Sequence, residues 1–141
     1  MVRKRASAQW KGTGKKGVGS VTTQSKALHE QPYGFNTRFE GKTGTNPEEL
    51  IAAAHSSCFA MALAFALSDK DIEPTLLDVS AVVTLEEDGD GFTVTRSALT
   101  LKAEVPGISA EDFAEVANGA KENCPISKLL NAEITLEHTL A

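Results

Sequence analysis

Five side chains in this sequence have the types and settings that reactive chemistry uses: Cys58, Cys124, Arg38, Glu48 and His55. A thiolate is a strong nucleophile, and a thiol ionises more readily near amide donors and the positive end of a helix. Cys124 precedes Pro125, so it stands where one helix must end and another can begin. Cys58 sits within a long apolar stretch, where a lone free cysteine commonly serves as a small filler. The two cysteines are 66 positions apart, counting from 58 to 124, and that separation leaves open whether they meet. Arg38 lies among aromatics in PYGFNTRFEG. Its default place is the surface; turned inward it needs an anion, which Glu48, Glu49 or a thiolate at Cys58 would supply. Glu48 is also fully explained by the helix start that it occupies. His55 could donate to a thiolate at Cys58. Its small neighbours Ala54, Ser56 and Ser57 fit a packed or solvent-touching histidine better. Metal binding is not expected, because there is no CxxC and His29, His55 and His138 show no ligand spacing.

The element that must position Cys58 is a helix over 45–67, TNPEELIAAAHSSCFAMALAFAL. Thr45 or Asn46 can cap it, Pro47 suits a first helical turn, and Glu48 and Glu49 face the positive end of its dipole. From Ala52 to Asp69 it carries almost no charge. A helix apolar on nearly all sides is a membrane span or the centre of a core. Its uninterrupted apolar part, 60–67, is short of the roughly 20 residues a bilayer needs, which makes it a buried core helix and excludes a membrane partner. A chain of 141 residues has little material with which to cover such a helix, so a homodimer is expected.

The remainder reads as α+β. Residues 3–11 and 18–25 form a hairpin across GTGKKG at 12–17. That hexapeptide matches GxGxxG, but a strand pattern comes after it where a dinucleotide-binding loop requires a helix. Residues 26–44 form a short strand or loop. The segments 75–87 and 91–105 are strands joined by a turn at DGDG, 88–91. Ser109 caps a helix over 110–123, a short helix begins at Pro125, and 132–140 alternates as a closing strand. Antiparallel strands should predominate. Nothing marks a linker, so 1–141 is expected to be one domain. The net charge of −5 argues against a nucleic-acid partner. The basic residues Arg3, Lys4, Arg5, Lys11, Lys15 and Lys16 fit a solvated edge strand and turn. With two cysteines and no apolar run behind the charged N-terminus, the cytoplasm is the expected compartment. There a cysteine pair is more often catalytic than a structural staple.

QPYGFNTRFEG, then TNPEELIAAAHSSCFAMALA, then ENCPIS, together resemble the OsmC/Ohr family and specifically its OsmC branch. The specific part is a capped Asn-Pro-Glu helix start, a cysteine ten residues after the glutamate, and a later Cys-Pro. The resemblance implies an OsmC-like α+β fold in an intertwined homodimer, with the N-terminal hairpin (about 3–25) part of the dimer. It implies a cytoplasmic thiol peroxidase that reduces organic hydroperoxides, and hydrogen peroxide less well. Cys58 would be the peroxidatic cysteine, Cys124 the resolving one, Arg38 the activating cation and Glu48 the carboxylate holding it. The implied reductant is a dithiol, such as a lipoylated protein, and no cofactor is implied.

Such chemistry would need these residue types. A buried thiol has a raised pKa, so a permanent cation must offset its desolvation. The sulfenic acid left by peroxide is protected when a nearby thiol condenses with it. Glu48 and Cys58 lie about 15 Å apart along one helix and roughly 80° around it, so Glu48 cannot touch its own chain's Cys58. Arg38 and Glu48 are therefore expected to complete the site of the other subunit. Phe35, Phe39, Phe59 and Met61 are expected mainly in the core, with some free to line an alkyl pocket. The competing readings are a non-catalytic redox sensor or hydrophobic-ligand-binding dimer using the same cysteines, and a structural α+β dimer with incidental thiols.

Overall fold

Pro74, Asp88–Gly91 and Pro106–Gly107 mark off a long hairpin in the second half of the chain, and its two strands fall between these breaks. The computed structural model describes residues 1–141. It contains β1 (Ala6–Lys11), β2 (Val18–Thr23), β3 (Gln31–Tyr33), α1 (Phe35–Phe39), α2 (Pro47–Ser68), β4 (Leu76–Asp88), β5 (Gly91–Glu104), α3 (Ala110–Asn123), α4 (Pro125–Leu129) and β6 (Glu133–Leu140). The chain divides into two compact units, Met1–Leu50 and Ile51–Ala141.

In the first unit β1, β2 and β3 form an antiparallel sheet in chain order. GTGKKG is the turn of the β1–β2 hairpin, with Gly12 at φ 98°, and a strand comes after it where a dinucleotide-binding loop would need a helix. Trp10 packs beside Tyr33 at 5.6 Å, and Gly19 lies between them: a Cβ there would meet both rings within 3 Å. The basic residues of 3–16 are exposed. Arg38 is on a short helix where the sequence suggested a strand or loop. Thr37 decides this locally, because its Oγ1 accepts from Gly34 N–H and donates to Gly34 C=O, both at 3.0 Å. Asn46 is the cap of α2: its Oδ1 accepts from Glu49 N–H at 2.9 Å, and its amide donates to Thr37 C=O at 3.2 Å.

In the second unit β4 and β5 form a long antiparallel hairpin, and β6 pairs with β5 in parallel. Parallel pairing requires a crossover, and α3 and α4 provide it. A register shift between Thr84 and Leu85 marks a bulge. Beyond it Ser97, Leu99, Leu101 and Ala103 all turn inward on one face of β5. Leu99, Leu101 and Ala103, with Phe59, Leu63 and Leu67 from α2 and Phe113, Val116, Ala117 and Ala120 from α3, form one core.

The burial of α2 differs from the expectation of an apolar centre covered on all sides. Its buried residues are His55, Phe59, Leu63 and Leu67, a single stripe spaced four apart. Met61 and Phe65 are 64% and 66% exposed, because one sheet and one helix supply a single covering layer in this unit. By length and composition alone α2 could cross a membrane, a test that core helices also pass. Its three serines are satisfied within the helix, Ser56 and Ser57 by bonding back to Ala52 and Ala53 and Ser68 to Ala64.

Candidate active site

Both cysteines belong to the second unit, and the structure brings them together. Cys58 is on the fourth turn of α2, beside the buried stripe, and is partly exposed. Cys124 ends α3 and begins α4; it leaves the helical conformation (φ −56°, ψ 124°) because Pro125 excludes it. It is completely buried, and both cysteines are free thiols.

The two thiols lie close enough for each to shift the ionisation of the other. Burial pushes the Cys58 thiol up, Cys124 raises it further, and the Ile126 N–H opposes this only in part. Burial also works against Cys124 as thiolate. However, Cys58, the Ser127 N–H, the Ser127 hydroxyl and the Ile126 N–H all donate to it, and together they hold it below the usual thiol value. Burial thus works against a charge on either sulfur, the donors around Cys124 offset it there, and a charge on Cys58 needs a cation.

Arg38 and Glu48 meet in the first unit. The Arg38 Nη2 donates to Glu48 Oε1 at 2.6 Å, and Nε donates to Oε2 at 3.0 Å and Oε1 at 3.2 Å. This fork fixes one edge of the guanidinium. The other edge, at Nη1, has no bond. Phe39 lies under the cation at 5.3 Å and itself packs against Phe35, tilted by 43°, at 4.9 Å. Glu48 thus does two jobs, one at the helix start and one on the arginine.

Of the two settings expected for His55, packed or solvent-touching, the structure shows the packed one. It is completely buried, with Nδ1 2.6 Å from Ser97 Oγ and Nε2 2.8 Å from Ser127 Oγ. Burial lowers its pKa, which keeps the ring neutral. Ser97 and Ser127 were not singled out from the sequence. Ser97 carried a signal, as a polar residue in the inward phase of Ser97, Leu99, Leu101 and Ala103, whereas nothing marked Ser127.

The aromatic and Met assignments also change. Phe59 is core as expected, but Met61 is well exposed and Phe39 is 39% exposed. A groove of about 480 Å³ runs between α2 and α3, lined by Ala62, Ala66, Val116 and Ala120 among others. It includes neither cysteine and none of Phe35, Phe39, Phe59 and Met61. No cluster of His, Cys, Asp and Glu is able to hold a metal ion.

A family model described as OsmC-like protein matches residues 39–139. The chain is 49% identical to peroxiredoxin OsmC of Escherichia coli strain K12, over 99% of its own length and 97% of that protein. It is 32% identical to the organic hydroperoxide resistance protein OhrB of Bacillus subtilis, over 85% of its own length and 88% of that protein. The crystal structure of the Bacillus subtilis OhrB superimposes with a TM-score of 0.67 at 28% identity, covering 97% of this chain and 98% of that one.

Proposed function

The chain belongs to the OsmC family, and we propose accordingly that it is a cysteine-based peroxidase that reduces organic hydroperoxides, and hydrogen peroxide less well. The observation that carries this reading is the contact of the Cys58 and Cys124 thiols, one of them partly exposed and the other sealed. The Cys58 thiolate attacks the terminal oxygen of ROOH. The O–O bond breaks, Cys58 becomes a sulfenic acid, and RO⁻ takes a proton to leave as ROH. The Cys124 thiolate then attacks the Cys58 sulfur and expels hydroxide, which is protonated to water. A dithiol, such as a lipoyl group, reduces the resulting disulfide.

Arg38 is the cation that holds the charge on Cys58 and meets the departing alkoxide. Glu48 holds it by one edge, and the open Nη1 edge suits it to a second anion. The helical spacing of Glu48 and Cys58 supports a homodimer in which Arg38 and Glu48 of one subunit complete the site of the other. The exposure of Met61 and Phe65 supports a partner covering α2. The cytoplasm, which keeps thiols reduced, suits the cycle.

The reading is tested by rapid mixing of reduced protein with an alkyl hydroperoxide, quenching and mass analysis. A Cys58–Cys124 disulfide with one equivalent of alcohol is expected, and with excess dithiol the peroxide is consumed catalytically. A single stoichiometric oxidation under excess dithiol would instead point to a sensor. Arg38→Lys keeps a charge but loses the fork, and kcat/KM should fall roughly 10²-fold, with Arg38→Met falling further. Rates within twofold of wild type for both variants would remove Arg38 from the mechanism.

A further inference from the structure

The hydrogen bonds around Cys124 do not stop at its immediate donors. Ser127 stands three residues beyond Cys124, in the first turn of the helix α4 that Cys124 begins, and its hydroxyl is 2.8 Å from His55 Nε2; His55 Nδ1 lies 2.6 Å from the Ser97 hydroxyl on β5, in a string that is sealed from solvent over most of its length. A hydroxyl has one proton to give. If Ser127 gives it to the Cys124 sulfur, Ser127 cannot also donate to His55 Nε2. Nε2 must then carry the ring proton and donate to Ser127 Oγ, and Nδ1 must accept from Ser97. Every member is satisfied in this one direction, and all four elements that supply the string are packed into one core. In the opposite ring tautomer Ser127 would turn its proton toward Nε2, and Cys124 would lose a donor.

We infer that His55 is a positioning residue whose Nε2–H fixes the Ser127 hydroxyl as a donor to Cys124, and so makes Cys124 the leaving group when the Cys58–Cys124 disulfide is reduced. The inference rests on the cysteine cycle proposed for this chain and adds to it the direction and ease of the reductive half. The complete burial of Cys124 leaves Cys58 as the sulfur an external dithiol can reach. A thiolate of the dithiol attacks Cys58 Sγ, the S–S bond to Cys124 breaks, and its electron pair goes to Cys124 Sγ, where the Ser127 hydroxyl is already aimed. The second thiol of the reductant then attacks its own sulfur in the mixed disulfide, Cys58 leaves as thiolate, and the reductant departs as a disulfide. A leaving thiolate that is better stabilised leaves faster and makes the disulfide easier to reduce.

The test is the reduction potential of the Cys58–Cys124 disulfide. It is formed with oxidised glutathione, without peroxide, and equilibrated against dithiothreitol buffers at neutral pH. In Ser127→Ala and His55→Leu the equilibrium should shift roughly tenfold toward the disulfide, about 30 mV to lower potential for this two-electron couple. His55→Gln offers an amide N–H to Ser127 and should stay within twofold of wild type. The rate of dithiothreitol reduction should follow the same order. An unshifted potential in Ser127→Ala would overturn the inference. So would a His55→Gln potential displaced as far as that of His55→Leu, because a residue needed only to fill space would show no such rescue. If His55→Leu fails to fold, Ser127→Ala against Ser127→Thr, which retains the hydroxyl, reads the same contrast. A shifted potential in a protein that turns over no peroxide would sink the peroxidase reading alone, and turnover with unshifted potentials would sink this inference alone.

Discussion

Cys58→Ser is expected to abolish hydroperoxide reduction, by on the order of 10³-fold or more, while the protein stays folded. A serine hydroxyl does not ionise at any pH at which the protein is folded, so no guanidinium can make it the attacking group. The structural cost is small. Cys58 lies beside the buried stripe of α2 rather than in it, and a hydroxyl can still donate to Cys124. Peroxide consumption with excess dithiol measures the loss, and a thermal melt within a few degrees of wild type shows that the loss is chemical. If the variant kept a tenth of the wild-type rate, the nucleophile would have to be sought elsewhere. Cys124 is a poor substitute, being wholly buried.

Cys124→Ser should separate the two halves of the cycle. Of the two cysteines the first attack on peroxide needs only Cys58, so a single rapid turnover should survive. The second should not. With no thiol beside it, the sulfenic acid at Cys58 meets further peroxide and advances to sulfinic acid, which dithiols do not reverse. The expected result is one equivalent of alcohol at near wild-type rate and a second, slower equivalent as the sulfinic acid forms, steady-state turnover lower by roughly 10²-fold, and a mass shift of two oxygens on Cys58. The Ser127 and Ile126 donors remain to satisfy the new hydroxyl, so the junction of α3 and α4 should hold. Sustained turnover without overoxidation would show that the reductant acts directly on the sulfenic acid and that Cys124 is dispensable.

The parts of this arrangement that were legible in the sequence are those set by local physics. Asn46, Pro47 and Glu48 announce the start of α2, Asp88 to Gly91 announces the hairpin tip, and Ser109 caps α3 through the Asp112 N–H. The pairing of Arg38 with Glu48 was among the alternatives because both flank that helix start. The meeting of the cysteines was not legible from spacing, since 66 intervening steps fix no distance, and it entered only through family likeness. α1 was read as a strand or loop because its alternating aromatics outweigh a single threonine, yet the Thr37–Gly34 bonds decide it. The face of α2 left open and the parallel placement of β6 are tertiary outcomes with no local signature. His55 shows the same limit. Its partners lie 42 and 72 positions away, and short-range neighbours cannot reveal that a ring will be held from both sides.

The crossover that carries Cys124 would give the oxidised protein of the proposed cycle a mechanical difference from the reduced one. A Cys58–Cys124 bond would run from α2 to the junction of α3 and α4 and staple shut most of the second unit, a loop of more than 60 residues. Tethering a loop of that length removes enough freedom from the denatured chain to be worth about 4 kcal/mol. Resistance to unfolding would thus be coupled to oxidation in the proposed cycle: each molecule would become tougher when the Cys58–Cys124 bond forms and relax again when it is reduced.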